Sequence, residues 1–186
     1  MESDLLGLEL ILGVTGGIAA YKAVDLASKL TGAGAVVHCI LTENACKLVA
    51  PKSFEAVTGR EVFTSLWSAP QEYRIGHVSL ADRAQMVVIA PATANLLAKA
   101  AMGLCDDLLS TTLCAGWEKP TIVAPAMNDR MWSNPAVQQN VETLRCRGWR
   151  MVGPAAGRLA CGREGMGRMA EPAEILEAIR AIRAGS

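Results

Sequence analysis

Four groups of residues in this chain suit chemistry beyond packing. The first is Pro125-Ala126-Met127-Asn128-Asp129-Arg130-Met131-Trp132, which follows the short apolar run 120–124. Such a run reads as a buried strand, so polar and large apolar residues crowd into the turn past its carboxyl end. In open α/β sheets that edge is where ligands bind. Asn128 is then either a ligand-facing amide, with Met127 and Met131 shaping an apolar pocket, or a helix cap, with Met131 and Trp132 filling the core. The second group is His77, beside Gly76 and just ahead of a short helix. Its imidazole titrates near neutrality and suits a general base, while a surface or capping histidine fits the same local sequence. The third is Thr15-Gly16-Gly17, between an apolar strand and a helix. Glycines let the backbone approach an anion, and a helix amino terminus supplies N–H groups and a positive dipole. The run is neither a Walker loop nor the G-x-G-x-x-G fingerprint, and a tight turn without a ligand is the alternative. The fourth is residues 153–170, where five glycines (153, 157, 162, 165 and 167) surround Cys161 and read as a mobile flap.

The elements that must position these groups alternate regularly. Apolar runs at 8–14, 35–41, 85–90, 120–124 and 149–152 read as strands. Helical patterns cover 18–30, 96–102, 135–147 and 172–184, with shorter helices opening after Thr42 and Asp107. Thr42 either caps its helix or meets a ligand, and Asp106-Asp107 supplies an aspartate placed for capping, with Ser110, Thr111 and Thr112 behind it. The small residues of Pro91-Ala92-Thr93-Ala94-Asn95 would let a planar or phosphorylated ligand lie against the backbone. Strand–helix alternation throughout predicts a single α/β domain with a doubly wound, mostly parallel sheet.

Composition narrows the function classes. Hydrophobic residues make up 51% of the 186 and charged residues 19%, which suits a well-cored globular chain. The 18 basic residues balance the 18 acidic ones and form no block, which argues against nucleic-acid binding. No apolar run approaches the ~20 residues of a membrane span. The acidic start Met1-Glu2-Ser3-Asp4 is unlike a secretory signal, so the expected compartment is the cytoplasm. The six cysteines show no C-x-x-C spacing, and the two histidines are His38 and His77, so no metal site is expected and most thiols should be reduced and buried.

Taken in order, the glycine turn with Ile18 and Ala19, His77, residues 91–95, residues 125–132 and the flap closely resemble the homo-oligomeric flavin-containing cysteine decarboxylases. The resemblance runs from about Leu10 to Pro172 and is closest to the branch that acts on phosphopantothenoylcysteine in coenzyme A biosynthesis. It implies a flavodoxin-like or Rossmann-like α/β/α fold, an FMN cofactor, and trimers that sometimes assemble into dodecamers. FMN contacts would fall on Gly16, Gly17, Ile18, Thr42, Ala45, Thr93, Ala94, Asn95, Ser110, Thr111 and Ala126. His77 would be the base, Asn128 would hold the substrate carboxylate, and Cys161 would donate a proton. Arg158, Leu159, Ala160, Cys161 and Gly162 would line a substrate clamp, with Arg163 standing where relatives often carry an acidic residue. Such chemistry fits a cysteine carboxylate, which has no electron sink until its Cβ–S bond is oxidised to a thioaldehyde. Many bacterial relatives continue past this point into a ligase domain that makes the substrate. Two related readings are a peptidyl-cysteine decarboxylase of antibiotic maturation, which shares the Met-Asn turn, and a non-catalytic regulatory flavoprotein. The Ala160-Cys161-Gly162 clamp argues against the first, and the presence of both His77 and Cys161 against the second.

Overall fold

The computed structural model describes residues 4–67, 76–158, 162 and 164–185, with the side chains of residues 76 and 77 outside that set. The first half runs β1 (Glu9–Val14), α1 (Ala20–Gly32), β2 (Val36–Leu41), α2 (Glu43–Cys46), α3 (Pro51–Thr58), α4 (Gly76–Arg83) and β3 (Met86–Ala92). The chain continues through α5 (Ala94–Met102), α6 (Leu108–Ala115), β4 (Thr121–Pro125), α7 (Asp129–Trp132), α8 (Pro135–Cys146) and β5 (Arg150–Met151). A ribbon of β6 (Ala155–Arg158) and β7 (Glu164–Arg168) precedes the closing helix α9 (Pro172–Ala184). Five strands form one parallel sheet in the order β2-β1-β3-β4-β5. This is the doubly wound, flavodoxin-like order, with its reversal of direction between β1 and β3.

Alternation along each strand sends side chains to two separate apolar layers. Leu10, Leu12, Val88, Ile122 and Ala124 pack with Leu26 and Leu30 of α1 and Ile175 and Ile179 of α9. Ile11, Val87, Ile89 and Val123 face the other way, onto Leu96 and Leu97 of α5, Leu109 of α6 and Leu144 of α8. Because both faces of the sheet are covered, its central strands are apolar at consecutive positions. The strand ends, where polar groups can stand, are left to carry function.

Several expectations change against the coordinates. The glycine-rich segment 153–170 forms, in its described part, a two-stranded ribbon: β6 and β7 pair antiparallel, from Ala155 opposite Arg168 to Arg158 opposite Glu164. Helix α1 starts at Ala20, two residues later than expected, because residues 16–19 turn before the helix begins. The thiols are less buried than composition suggests. Cys39 is enclosed, and burial pushes its thiol up to about 12, whereas Cys105, Cys114 and Cys146 are exposed. Met131 is 48% exposed rather than a core residue, while Trp132 packs against the second apolar layer.

The ribbon is fixed by close backbone contact. The Met127 amide donates to the Gly167 carbonyl at 2.9 Å. Gly167 has a φ of +151°, and a Cβ there would lie 2.1 Å from the Met127 carbonyl oxygen. Gly167→Ala should therefore lower stability by about 1–3 kcal/mol, the usual range for forced overpacking. Gly32→Ala, where nothing lies within 4 Å of an added Cβ, should leave stability unchanged or higher. Urea unfolding of the two variants measures the contrast.

Candidate functional site

The polar and glycine-bearing strand ends converge at the carboxyl edge of the sheet, around the β1/β3 crevice. Gly16 and Gly17 leave β1 there, and Thr93, Ala94 and Asn95 leave β3. One buried hydroxyl clips the two loops together. Thr15, 2% exposed, donates from Oγ1 to the Pro91 carbonyl at 2.7 Å and accepts from the Thr93 amide at 3.0 Å. The Ala126 amide, past β4, then donates to the Ala92 carbonyl at 3.0 Å, and Met127 donates to the ribbon. A continuous set of hydrogen bonds thus runs from the glycine turn through residues 91–93 and the Met-Asn turn to β7.

The two glycines of the first turn have different causes. A Cβ on Gly16 would lie 2.4 Å from the Asn44 Cβ, so the close approach of α2 demands glycine there. On Gly17 it would meet Thr93 and Pro91 at ordinary contact distances of 3.5 Å and more. Packing does not require glycine at 17; a side chain would fill space between the β1 and β3 loops. Beside it, α1 begins at an N-cap, Ala19, with no side-chain cap. A glycine without a packing cause, next to an uncapped helix end, fits the phosphorylated flavin expected from the sequence.

The candidate hydroxyls divide by what they do. Thr42 accepts from the Ala45 amide at 3.3 Å and Thr93 from the Leu96 amide at 3.5 Å, each capping a helix. A hydroxyl that accepts in this way still has its proton to give. Ser110 and Thr111 instead donate to the Asp107 carbonyl at 3.1 and 2.7 Å. Ser110 also borders a groove of about 250 Å³ formed with Lys99, Trp117, Arg147 and Trp149, away from the glycine turn. A wider depression of about 590 Å³ at α3, lined by Lys52, Glu55 and Arg60, contains none of the candidate residues. Ile18 is 66% exposed, Ala45 is buried, and Asn95 is exposed in the first turn of α5.

Asn128 occupies the N-cap of α7, and its Oδ1 accepts from the Arg130 amide at 2.9 Å. The capping reading of this residue therefore holds in the structure, and the turn places it directly beside the ribbon. Next to it, Asp129 Oδ1 is buried without a hydrogen-bond partner. An added Cβ on Gly165 would lie 2.9 Å from the Asp129 Cβ, so β7 closes over this turn. Arg158 ends β6 with its side chain exposed, and Gly162 is exposed with a φ of +82°. His77 falls in the first turn of α4, but its side chain, like Leu159, Ala160, Cys161 and Arg163, lies outside the described residues.

Sequence reasoning named Thr15 only as part of the glycine turn, with no role of its own, and missed the ion cluster at α6. A hydroxyl at a strand end before two glycines was the available signal for Thr15. In the cluster, Lys99 Nζ lies 2.6 Å from Asp106 and 2.7 Å from Asp107. Burial raises the Asp107 carboxyl, but Lys99 and the Ser110 N–H outweigh it and hold the group below the ordinary value of 3.8. Among the described residues, no group of three or more His, Cys, Asp and Glu side chains is placed to hold a metal ion, and no helix is long and apolar enough to cross a membrane.

Comparison with known proteins agrees with this geometry. The family described as Flavoprotein matches residues 1–184. The coenzyme A biosynthesis bifunctional protein CoaBC of Vibrio cholerae is 45% identical over 173 residues, covering 93% of this chain and 43% of that protein. CoaBC of Bacillus subtilis is likewise 45% identical, over 167 residues, covering 90% and 41%. The chain therefore spans less than half the length of these relatives. Among solved structures, a PPC decarboxylase mutant complexed with pantothenoylaminoethenethiol superposes with a TM-score of 0.85 at 33% identity, covering 95% of this chain and 98% of that one. The FMN-dependent cysteine decarboxylase SpaF gives 0.82 at 36% identity, covering 98% and 99%.

Two outcomes test this construction. Thr15→Val leaves the Thr93 amide without its acceptor and should cost about 1–3 kcal/mol, whereas Thr15→Ser should stay near wild type by denaturant unfolding. The folded Asp107 carboxyl lies below its unfolded value, so its contribution is present above 3.8 and is lost as pH falls through the lower folded value. Asp107→Asn keeps a good capping residue and should remove that acid-dependent part of the unfolding curve.

Proposed function

We propose that this chain, which belongs to the Flavoprotein family, is an FMN-dependent decarboxylase acting on the cysteine moiety of phosphopantothenoylcysteine in coenzyme A biosynthesis. The observation that carries the reading is the hydrogen-bonded seam joining the glycine turn, the Met-Asn turn and the ribbon. It joins the glycine turn, the turn at Asn128 and the strands that flank residue 161 in the sequence, the segments that a flavin cradle, a carboxylate anchor and a proton donor would occupy in this reading. Support also comes from the relatives named for coenzyme A biosynthesis. The ethenethiol in the solved neighbour has a name that describes a cysteine end both decarboxylated and oxidised.

In this reading Gly16, Gly17 and Ile18, with Thr93, Ala94, Asn95 and Ala126, hold FMN at the crevice, and Thr42, Ala45, Ser110 and Thr111 complete the set. Thr42 and Thr93 retain protons to donate, while Ser110 and Thr111, whose protons are taken by Asp107, can only accept. Bound FMN would supply a two-electron acceptor that opens the Cβ–S bond to oxidation and afterwards returns the electrons. His77 takes a proton from the cysteine moiety during oxidation. The Asn128 amide, held by its capping bond to Arg130, anchors the carboxylate until carbon dioxide leaves. Cys161, with Arg158, Leu159, Ala160 and Gly162 around it, protonates the ene-thiolate carbon, and the ribbon excludes water from the reactive thioaldehyde. No net redox change results.

The proposal includes a cytoplasmic homo-oligomer built on trimers. Ile18 and Tyr21, 66% and 64% exposed at the start of α1, present apolar surface beside the crevice that a second copy would cover.

Purified protein should bind FMN and turn yellow. Mass spectrometry of its products from phosphopantothenoylcysteine should show loss of carbon dioxide alone. His77→Asn should abolish carbon dioxide release, and Cys161→Ser should release it but accumulate the oxidised ene-thiol. Turnover of a peptide carboxy-terminal cysteine in place of phosphopantothenoylcysteine would move the chain to the peptidyl branch. Phosphopantetheine formed at the wild-type rate by either variant would remove that residue from the mechanism.

A further inference from the structure

Lys22 stands where a cation is disfavoured. It occupies the third position of α1, at the positive end of a helix dipole, and the first turn of that helix contains no acidic residue. Its side chain is only 14% exposed, so water does little to screen it. The compensating charge comes from 149 residues away. Glu171 Oε1 receives the Lys22 ammonium at 2.8 Å, and the Arg168 guanidinium of β7 lies 3.5 Å from the same oxygen. The same residue is the N-cap of α9: its backbone carbonyl accepts from the Glu174 amide at 2.9 Å and its own amide donates to the Glu174 carboxylate at 2.7 Å. Lys22, the largest influence, together with Arg168 holds the Glu171 carboxyl below its ordinary range.

We infer that Glu171 is a positioning residue: one carboxylate, shared by Lys22 and Arg168, locks the ribbon that flanks Cys161 onto the helix that begins at the glycine turn. The inference rests on the proposed decarboxylase reading for its effect on catalysis, but the lock itself is a property of the fold. Helix α1 moves with Gly16 and Gly17, and β7 moves with the Met127–Asn128 turn through the Gly167 carbonyl. Glu171 thus joins, from the back of the site, the two parts that the seam joins at the front. Its role is distinct from capping, because the Glu171 backbone makes the bonds to Glu174, and a glutamine there would keep them while lacking the charge that Lys22 requires.

The test compares Glu171→Gln, Lys22→Met and the double variant with wild type. Each single variant should raise the rate of tryptic cleavage within the ribbon, in the absence of flavin, by about three- to tenfold, as a partly exposed ion pair of this kind permits. The double variant should show no further increase, since the two changes break one interaction. With FMN and phosphopantothenoylcysteine, kcat should fall by a similar factor while FMN affinity changes less than twofold. Ribbon cleavage at the wild-type rate in Glu171→Gln overturns the lock. So does a general loss of stability in which ribbon and sheet become cleavable together, which would make Glu171 merely structural. If wild-type protein does not decarboxylate the substrate, the functional reading fails, and the cleavage coupling still decides the lock.

Discussion

The carboxyl edge of this sheet depends on how β1, β3 and β4 hand their hydrogen bonds to one another once regular pairing ends. Pairing of β3 with β4 shifts register between Ile89 and Ala92, so the backbone there cannot satisfy itself by a simple ladder. The Thr15 hydroxyl fills the break from one side, as donor to Pro91 and acceptor from Thr93. The Ala126 amide fills it from the other, at Ala92. These groups are buried, so each unmet bond would carry a full desolvation penalty rather than the small net worth of a surface hydrogen bond. That asymmetry makes the edge rigid without a large apolar contribution of its own.

Rigidity at that edge has an electrostatic counterpart. Helices α1 and α9 begin close to the ribbon, and both present positive ends. Helix α1 carries Lys22 in its first turn, while α9 is capped by Glu171, so one ion pair answers two dipoles. At α6 the same logic recurs with the roles reversed. Asp107 caps the helix, and Lys99 arrives from α5 to balance it and Asp106. In both places a carboxylate at a helix start meets a lysine with little exposed side chain.

Much of this was legible in the residues. The five strands follow from apolar runs bounded by turn residues, and Asn134-Pro135 and Glu171-Pro172 announce helix starts because proline suits the first turn. The Asn128 turn was visible as an oddity of composition, and its capping bond is what an asparagine before a short helix does by default. What the sequence concealed depends on contact at a distance. Gly16 and Gly167 are both glycine because another backbone segment passes within van der Waals range, from α2 in one case and the Met127 carbonyl in the other. Local pattern offers only mobility or anion binding as reasons for such residues. The same holds for Lys22, which reads as surface until its partner 149 residues away is in place. Exposure of Cys105 and Cys114 likewise depends on how the α5–α6 connection lies, which no periodicity encodes.

The division between the two glycines of the first turn bears on how the whole edge should be read. A motif of adjacent glycines invites one explanation, yet Gly16 is fixed by α2 and would be needed with or without a ligand. A Cβ on Gly17 would make ordinary contacts with Thr93 and Pro91, so packing alone does not demand glycine there. A glycine that packing does not demand, beside a helix end without a side-chain cap, is a feature of the site and not of the fold. A phosphate-bearing cofactor would meet the Gly17 backbone and the helix end there, whatever packing requires at Gly16.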